Sequence, residues 1–362
     1  MKNTFGNAIS VTIFGESHGP YIGAVLDGIA PGIKVDDDYI KEALTKRAPY
    51  GDISTQRREN DNFSIVSGVF NGFTTGTPIT ILIPNENTKS KDYSMLLDIP
   101  RPGHADYSAS VKYHSFQDYR GGGHFSGRIT AGLVATGAIV NYALQNKGIR
   151  IGTHILNLHG VPDKNLTNQE EAEMLCKKLF PVISEEAEEK MKEEVLIAKK
   201  RGDSVGGTLE SAIFGVPAGV GEPFFDSLES QLSHILFSIP GIKGVEFGDG
   251  FAMADMYGSE ANDPFVLQDG EVRTLTNHNG GINGGISNGM PITFKCAVKP
   301  TPSIFMDQKS VSLSKNEEVT LSLQGRHDPA IIHRVRAVVD AAAAIALADM
   351  LVTRFGTDYL KN

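Results

Sequence analysis

Residues 11–26 read VTIFGESHGPYIGAVL, in which the polar pentapeptide Gly15–Gly19 stands between two apolar runs. The pentapeptide fits the G-x-S-x-G signature of serine hydrolases, which requires a strand before the serine and a helix after it. The segment after Gly19 is instead extended and punctuated by glycine, which is typical of a second strand. Residue 15 also leaves little room for the strands that precede a hydrolase nucleophile. The stretch therefore predicts a β-hairpin, while serine hydrolysis and a purely structural turn stay open at this point.

The composition is that of a globular chain with an acidic balance. The 362 residues are 40% apolar and 21% charged, and the net charge is −9. This charge argues against nucleic acid as the main partner, whereas local arginine clusters can still bind an anionic small molecule. Cys176 and Cys296 show neither metal-ligand spacing nor a disulfide framework, so a reducing, cytoplasmic location is expected. No signal segment and no apolar run of about 18 residues is present, and no membrane span is expected.

Strands and helices are mixed along the chain without the regular alternation of a doubly wound sheet, which favours an α+β fold. The predicted strands are Ala8–Phe14, Gly23–Leu26, Phe63–Phe70, Ile79–Pro84, Gly207–Gly215 and Thr293–Val298. The predicted helices are Tyr39–Arg47, Gly127–Lys147, two in 165–200 divided near Pro181, Phe225–Phe237, and Pro329–Arg354.

Small residues inside two of these helices predict that the helices pack closely against their neighbours. Gly132 and Gly137 indicate that the helix over 127–147 approaches another element closely, and Gly148 is a candidate stop after it. The stretch Ala341–Ala348 indicates a buried, tightly packed helix. Residues 165–200 are rich in Glu and Lys and are expected to form a solvated surface.

Five loops are dense in glycine, arginine, histidine and hydroxyl side chains. They are Arg101–Asp106, Arg120–Arg128, Gly280–Gly289, Lys299–Ser303 and Gly325–Pro329. A glycine-rich loop that runs into a helix presents free N–H groups and the positive end of the helix dipole to phosphate. Arginine adds planar recognition of carboxylate or phosphate. Each loop alone has a structural explanation, but together they predict an enzyme with a site for a polyanionic ligand.

Histidines 18, 104, 124 and 327 recur in the same polar segments, and histidine can transfer a proton near neutral pH. A metal site is the competing explanation. However, the chain has no H-E-x-x-H, no C-x-x-C and no histidine pair at helical spacing, so no metal is expected. Neither a P-loop nor a Rossmann fingerprint is present, which argues against an ATP phosphate in a Walker site.

Taken together, the motifs resemble those of the chorismate synthase family and come in the same order. The matching stretches are Gly15–Gly19, Thr55–Glu59, Arg101–Asp106, Gly202–Ser204, Gly244–Gly250, Gly280–Gly289, Lys299–Thr301 and Gly325–Pro329. The resemblance implies a β-α-β sandwich, with two antiparallel sheets around central helices. It further implies one domain over residues 1–362, with a peripheral charged helical excursion around 160–200, that forms a homotetramer.

The resemblance also implies a reaction and its ligands. The family eliminates phosphate from 5-enolpyruvylshikimate 3-phosphate, in the anti-1,4 sense, to give chorismate. This carbon–oxygen lyase reaction is the last step of the shikimate pathway, which leads to the aromatic amino acids. It requires reduced FMN although it is redox-neutral overall. Because the chain shows no fingerprint for NADP or another nicotinamide, an external flavin reductant is expected.

Site residues carry over position by position. His18 is expected to donate a proton towards the reduced flavin, His104 to assist the departing phosphate, and Ser17 with Asp328 to move a proton at the flavin N5. The substrate-binding arginines are Arg47, Arg101, Arg128 and Arg326. The cofactor-binding residues are His124, Phe125, Ser126, Pro240, Gly241, Gly284, Lys299, Pro300, Thr301, Pro302, Ser303 and Arg326.

The chain departs from the family pattern at three places. The stretch 124–128 reads HFSGR where many relatives have Arg-Ser-Ser-Ala-Arg. Residues 50–53 supply no second substrate arginine, for which Arg57 and Arg58 are the candidates. Pro240-Gly241 replaces a polar residue followed by alanine.

A catalytically silent flavin- or phosphate-binding protein on the same scaffold is the alternative function. The presence of Ser17, His18, His104 and Asp328 together argues against it.

Overall fold

A computed structural model of the chain describes residues 2–55, 61–86, 95–323 and 328–361. The strands before residue 87 are β1 (Thr4–Phe5), β2 (Ser10–Gly15), β3 (Tyr21–Asp27), β4 (Ser64–Ser67), β5 (Val69–Phe70), β6 (Phe73–Thr74) and β7 (Ile79–Pro84). The strands after residue 147 are β8 (Arg150–Leu158), β9 (Val161–Pro162), β10 (Gly207–Phe214), β11 (Ile242–Phe247), β12 (Phe265–Gln268), β13 (Glu271–Thr274), β14 (Ile282–Asn283), β15 (Ile286–Ser287), β16 (Ile292–Val298), β17 (Gln308–Ser312) and β18 (Glu317–Leu321). The helices are α1 (Asp37–Arg47), α2 (Asp106–Lys112), α3 (Thr130–Asn146), α4 (Gln169–Cys176), α5 (Glu185–Arg201), α6 (Leu228–Leu236), α7 (Gly258–Ala261) and α8 (Ile332–Phe355).

Two five-stranded antiparallel sheets form the outer layers of the described fold. One has the order β1-β2-β3-β7-β4 and the other the order β11-β16-β10-β8-β9. Between them lie α3, which packs on β2, β3 and β7, and α8, which packs on β8 and β10. The β-α-β sandwich expected from the sequence is confirmed. The predicted hairpin is confirmed as well, since β2 and β3 pair up to Gly15 opposite Ile22.

The two central helices are apolar around most of their circumference because both of their sides are covered. In α8 every residue from Ala341 to Met350 is buried, including Asp349, whose carboxylate accepts three backbone N–H groups at residues 7–9. The glycines of α3 allow the close approach that the sequence predicted. A Cβ on Gly132 would lie 2.6 Å from the carbonyl of Gly23, and one on Gly137 would lie 2.5 Å from the Cβ of Ala341.

Replacing Gly137 by alanine should therefore destabilise the protein. The new methyl group would also lie 2.7 Å from the Cα of Ala341, which is backbone and cannot rotate away. Overpacking of this kind typically costs about 1–3 kcal/mol, which outweighs the gain of about 1 kcal/mol in helix propensity. Denaturant unfolding measures the effect. Gly258→Ala is the matched control, because nothing lies within 4 Å of the added Cβ there, and an unchanged midpoint for Gly137→Ala would contradict the close approach.

The charged segment 165–200 forms two helices, α4 and α5, on either side of Pro181, as predicted. A buried histidine fastens the segment to the second sheet. His154 on β8 has its Nε2 at 2.8 Å from the Glu210 carboxylate on β10, and its Nδ1 forms a looser ion pair, 3.3 Å long, with Asp163. The Asp163 carboxylate in turn accepts the N–H groups of Ile183 and Ser184 just before α5.

This cluster should make the stability of the protein depend on pH. Burial alone would lower the pKa of His154, but the hydrogen bonds to Asp163 and Glu210 outweigh it and raise the pKa. A raised folded-state pKa stabilises the fold fully below the unfolded value of about 6.5, and this contribution is lost as the pH rises through the folded-state pKa. We expect the free energy of unfolding to fall over that alkaline window in the wild type and to stay flatter in His154→Gln. If the free energy of unfolding depends on pH equally in the two proteins, His154 does not stabilise the fold through Asp163 and Glu210.

Differences from the sequence-based elements have local causes. The helix predicted over 225–237 begins at Leu228, because the Ser227 hydroxyl caps its N-terminus. The last helix begins at Ile332 rather than at Pro329. The strand predicted over 63–70 is interrupted at Gly68, where φ is +80°. None of the described helices has the length and apolar character needed to cross a bilayer.

Candidate active site

A cavity of about 900 Å³ lies between the β2–β3 turn, the segment before α3, the N-terminal part of α8 and the loop after β16; we call it the basic cavity. Most of the predicted site residues line it. These are His18, Arg47, Arg101, His104, His124, Phe125, Ser126, Arg128, Pro240, Gly241, Lys299, Pro300, Thr301, Pro302, Ser303 and Asp328. Residues from sequence positions more than 300 apart therefore converge on one space, as the polyanion hypothesis requires.

Two predicted residues that the structure describes, Ser17 and Gly284, are not among those that line the cavity. Ser17 is fully buried behind His18. Gly284 lies in the tight turn between β14 and β15, where its φ of +62° suits glycine, and its role in cofactor binding stays a prediction. Arg326, like Arg57 and Arg58, falls outside the described residues.

The charge of the lining is the reverse of that of the whole chain. Besides the predicted arginines and histidines, it includes Lys2, His234, Lys243 and Arg334. Among the described residues of the lining, Asp328 supplies the sole carboxylate. A chain with a net charge of −9 thus concentrates positive charge around one cavity, which attracts an anionic ligand to it.

The β2–β3 turn is held against the glycine-rich segment 120–125. Ser17 N–H donates to the Gly123 carbonyl at 3.1 Å, and His124 Nδ1 donates to the Gly15 carbonyl at 2.8 Å. Gly121 must be glycine here, because its φ is +62° and a Cβ would lie 2.2 Å from the His18 ring. This contact places His18 at the cavity wall.

The hydrogen bonds of Ser17 define its state. Its hydroxyl donates to the Arg120 carbonyl at 3.2 Å, and its Oγ lies 3.2 Å from His18 Nδ1. The single hydroxyl hydrogen can satisfy only one of these two contacts, and when Nδ1 carries a hydrogen it points to Arg120 while the oxygen accepts from Nδ1–H. In a hydrolase the histidine must accept the serine proton, and here the Arg120 carbonyl competes for that proton.

Arg101 and His104 share one partner, the carboxylate of Asp106 at the start of α2. Arg101 donates to it through the backbone N–H at 2.9 Å and through Nε and Nη2, both at 2.8 Å. His104 Nδ1 lies 2.7 Å from the same carboxylate. Burial alone would raise the pKa of Asp106, but the hydrogen bonds from Arg101 and His104 hold it well below its usual range.

Arg47 and Arg128 are joined by the buried carboxylate of Asp61. Arg47 Nη2 lies 2.7 Å from one of its oxygens, and Arg128 Nη1 contacts the other. Burial alone would raise the pKa of Asp61, but the positive charges of the two guanidinium groups lower it. Arg128 also donates to Asn85 Oδ1 at 3.0 Å, which fixes its plane.

Arg334 is a site residue that the sequence reasoning missed. Its Nε donates to the backbone carbonyl of Arg47 at 3.0 Å, and its Nη1 pairs with Asp328. It thereby holds the C-terminal end of α1 and the carboxylate of Asp328 in fixed places. The sequence carried no clear signal for this role, because His333, Arg336 and Asp340 are further polar residues in the first turns of the same helix.

The loop 299–303 is braced from both sides. Lys299 Nζ donates to the Gly103 carbonyl at 2.5 Å, and Ser204 Oγ donates to the Thr301 carbonyl at 2.7 Å. The stretch Gly202–Ser204 therefore supports the cavity without lining it. The hydroxyl oxygen of Thr301 is buried at the cavity wall and has no hydrogen-bond partner among the described residues, which leaves it available to a ligand.

Ser126 combines a structural and a binding function. Its Oγ accepts the Arg128 N–H at 3.2 Å and so caps the first turn before α3. The hydroxyl hydrogen remains available for a ligand oxygen. Beside it, Phe125 packs edge-on against Tyr113, with 6.0 Å between ring centroids. Across the described residues, no group of three or more His, Cys, Asp or Glu side chains is arranged to hold a metal ion.

A sandwich of two antiparallel sheets around central helices, with a basic cavity that carries several histidines, defines an enzyme for a polyanionic small molecule. The sequence profile of the chorismate synthase family matches residues 9–352. The chain belongs to the chorismate synthase family.

Named relatives and a solved structure agree with this assignment. The chain is 47% identical to the chorismate synthase of Pyrococcus abyssi, with 96% of this chain and 97% of the relative covered. It is 48% identical to the chorismate synthase of Thermococcus gammatolerans, with 96% of this chain and 97% of that relative covered. A crystal structure of chorismate synthase superposes with a TM-score of 0.76 at 27% identity, covering 98% of this chain and 95% of that one.

The family and the reaction class predicted from the sequence are thereby confirmed. Chorismate synthases are lyases, and their reaction is the last step of the shikimate pathway.

Proposed function

We propose that the basic cavity is where this chain eliminates phosphate from 5-enolpyruvylshikimate 3-phosphate to give chorismate. The observation that carries the proposal is the convergence of Arg47, Arg101, Arg128, His18 and His104 on one cavity. The substrate bears two carboxylates and a phosphate, and planar guanidinium groups recognise both kinds of anion. Arg326 belongs to the proposed substrate set on the strength of the sequence motif alone.

The residues around the cavity fit reduced FMN. Thr301 offers a buried hydroxyl oxygen without a partner among the described residues, and Ser126 offers a hydroxyl hydrogen. Apolar side chains on the same lining suit a flat ring system; they are Val11, Ile13, Leu133, Ile235, Ile331, Val335 and Val338. When bound, reduced FMN supplies electron density to the substrate ring and takes up the hydrogen lost from C6. The chain fixes the geometry and excludes water.

The proposed proton handling rests on two histidines. His104 Nδ1 faces Arg101 and Asp106, so Nε2 is the ring atom that transfers a proton to the departing phosphate. His18 has its Nδ1 directed at Ser17, and its Nε2 is the proposed donor of a proton towards the cofactor. Arg101, beside His104, offsets the negative charge that grows on the leaving group.

Ser17 and Asp328 form the proposed proton relay to the flavin. Ser17 contacts His18 directly, and Asp328 lies on the cavity wall in an ion pair with Arg334. Ser17, through His18, and Asp328 would hold and pass protons to and from the bound cofactor.

One assay tests the proposed function. Purified protein is incubated anaerobically with 5-enolpyruvylshikimate 3-phosphate and chemically reduced FMN, and chorismate absorbance and phosphate release are followed. We expect equal amounts of both products with reductant and none without it. A silent binding protein would give no product in either case. Labelling of Ser17 by a fluorophosphonate would favour the hydrolase alternative.

Four further features belong to the same proposal. We infer a single domain that assembles as a cytoplasmic homotetramer and receives its reduced flavin from an external reductant. Light scattering on the purified protein tests the tetramer, and a single cooperative unfolding transition tests the single domain. Turnover in air with oxidised FMN and NADPH alone would contradict the external supply.

A further inference from the structure

We propose that Arg334 is a further ligand-binding residue, whose Nη2 donates to an anionic group of the substrate in the basic cavity. The motifs that carry the family resemblance end at Pro329 and do not include this arginine. The choice of ligand rests on the proposed function, whereas the recognition of an anion by this side chain does not.

Arg334 lies on the face of α8 that borders the basic cavity. From residue 331 onwards, the chain lines the cavity with Ile331, Arg334, Val335 and Val338. This spacing of three, four and seven residues marks one face of a helix. The other three side chains are apolar, so the guanidinium group stands in an apolar stripe where it loses hydration. Its N–H groups therefore need acceptors from the protein or from a ligand.

Two of the three nitrogen atoms of the guanidinium group are already bonded to the protein. Nε donates to the backbone carbonyl of Arg47 at 3.0 Å, and Nη1 donates to the carboxylate of Asp328. Among the residues that the structure describes, none accepts a hydrogen bond from Nη2. Because the guanidinium group is rigid and planar, the two existing bonds fix the direction of Nη2. Nη2 is therefore the part of Arg334 that remains for a ligand in the cavity.

The described residues around Arg334 carry one more positive charge than negative charge. The guanidinium groups of Arg47 and Arg128 share the carboxylate of Asp61, and that of Arg334 pairs with Asp328. The bond from Arg334 to the Arg47 carbonyl joins the two groups of charges. Three cations thus stand beside two carboxylates, and a ligand anion supplies the missing negative charge.

The burial of Arg334 strengthens its interaction with an anion. Its side chain is only 17% exposed. Burial lowers the pKa of Arg334, the carboxylate of Asp328 opposes this effect, and the positive charge of Arg47 adds to it. The side chain nevertheless stays protonated, because the ordinary pKa of arginine lies far above neutral pH. An anion at Nη2 therefore relieves the repulsion between Arg334 and Arg47.

The position of Arg334 favours the substrate over the phosphate of the cofactor. Its bond to the carbonyl of Arg47 places it beside a member of the proposed substrate set. By contrast, no hydrogen bond between described residues joins it to the loop 299–303 of the proposed cofactor set. The anion that Nη2 meets is then a carboxylate or the phosphate of the substrate, and planar guanidinium groups bind both.

The test is Arg334→Met, which keeps much of the length of the side chain and removes its charge and its donors. Calorimetric titration with 5-enolpyruvylshikimate 3-phosphate measures binding in the presence of oxidised FMN, since the elimination requires the reduced form. We expect binding to weaken by about 10-fold to 100-fold, the usual loss for one charge-assisted hydrogen bond. Arg334→Lys keeps the charge without the planar fork, so it should recover only part of this loss.

Asp328→Asn separates a ligand contact from a structural role. If Arg334 served only to hold Asp328, breaking their ion pair from either side should weaken substrate binding alike. Asp328 is, however, the sole carboxylate among the described residues of the lining, so its removal favours a bound anion. We expect Asp328→Asn to bind the substrate at least as tightly as the wild type. Binding weakened by a similar factor in both variants overturns the ligand contact.

Arg150→Met is the matched control. Arg150 Nη1 donates to the Gln145 carbonyl at 2.6 Å, and its Nε pairs with Glu173 at 3.3 Å, so it makes the same two kinds of bond as Arg334. It does not line the basic cavity. We expect this variant to bind the substrate with wild-type affinity. Loss of affinity in Arg150→Met equal to that in Arg334→Met overturns the specific role of Arg334.

A titration with FMN alone distinguishes the two sources of an anion. We expect Arg334→Met to change the affinity for FMN by no more than a few-fold. If FMN binding is lost while substrate binding is kept, the anion at Nη2 belongs to the cofactor, and the assignment to the substrate is overturned.

The remaining outcomes distinguish this inference from the proposed function. Wild-type substrate affinity in Arg334→Met overturns the inference even where the protein makes chorismate. A wild-type protein that binds the substrate but forms no chorismate contradicts the proposed function and leaves the inference standing, whereas a wild-type protein that does not bind the substrate contradicts both. Should Arg334→Met fail to fold, Arg334→Lys decides, because wild-type affinity in that variant overturns a contact that requires the planar fork.

Discussion

Replacing His104 by alanine should lower kcat by on the order of 10²–10⁴-fold, the usual contribution of a positioned general acid. His104 lines the basic cavity, and Arg101 and Asp106 lie against its Nδ1, so the proton for the departing phosphate must pass through Nε2. The hydrogen bonds that brace the loop 299–303, from Lys299 to Gly103 and from Ser204 to Thr301, do not involve the His104 ring. The affinity for reduced FMN, measured anaerobically by fluorescence titration, should therefore change by no more than a few-fold.

A surface histidine provides the matched control for this prediction. His159 is exposed in the β8–β9 turn and lies 4.0 Å from Glu194, away from the cavity. His159→Ala should leave kcat unchanged. If His104→Ala keeps its turnover, or if it loses turnover only in proportion to lost FMN binding, His104 is not the proton donor and the leaving group must be assisted by Arg101 or by solvent.

The loops of the site could be predicted from the sequence because each one carries its chemistry in a few consecutive residues. Glycine, arginine and histidine in one short stretch indicate an anion site even when the rest of the fold is unknown. The residues that orient these groups were harder to find. Asp61 and Arg334 act through partners that lie 67 and 287 residues away in sequence, and neither stands in a pattern that shows such a partner.

The fold was predictable where periodicity or glycine spacing is strong. Gly132 and Gly137 indicated a close helix contact, and the structure shows them against Gly23 and Ala341. The strand β8 was missed. Its residues Ile151–Ile155 are buried without interruption, so the alternation that marks a half-exposed strand is absent. The strand β11 was missed because it is short and runs into the stretch Gly244–Gly250, whose glycines resemble those of a loop.

The largest effect on stability is expected from Asp61→Asn. The change leaves two buried guanidinium groups, on Arg47 and Arg128, whose side chains are only 5% and 6% exposed, without their shared countercharge. Removing one partner of a buried ion pair typically costs about 3–5 kcal/mol. Asparagine also tolerates the positive φ of residue 61, which is +47°. The loss of stability in Asp61→Asn therefore measures the removal of the negative charge and not a strain in the backbone.

The pH dependence of the stability lost in Asp61→Asn distinguishes a lost charge from a packing defect. The pKa of Asp61 is lowered in the folded state, so its contribution is present above the unfolded value of about 3.9 and disappears as the pH falls through the folded-state pKa. The free energies of unfolding of wild type and Asp61→Asn should thus converge in acid and stay apart near neutrality. A packing defect would instead separate them by the same amount at every pH.

An exposed ion pair provides the control for Asp61→Asn, and the effect of bound substrate on Tm tests whether Arg47 and Arg128 bind it. Glu271→Gln removes the partner of Arg273, whose side chain is 40% exposed, and should cost less than about 1 kcal/mol. In Asp61→Asn the guanidinium groups of Arg47 and Arg128 still line the cavity, so a bound polyanion supplies part of the missing negative charge. The substrate should therefore raise the Tm of Asp61→Asn by more than it raises the Tm of the wild type. An equal rise in both proteins would show that Arg47 and Arg128 do not meet the substrate, and the proposed binding mode would be wrong.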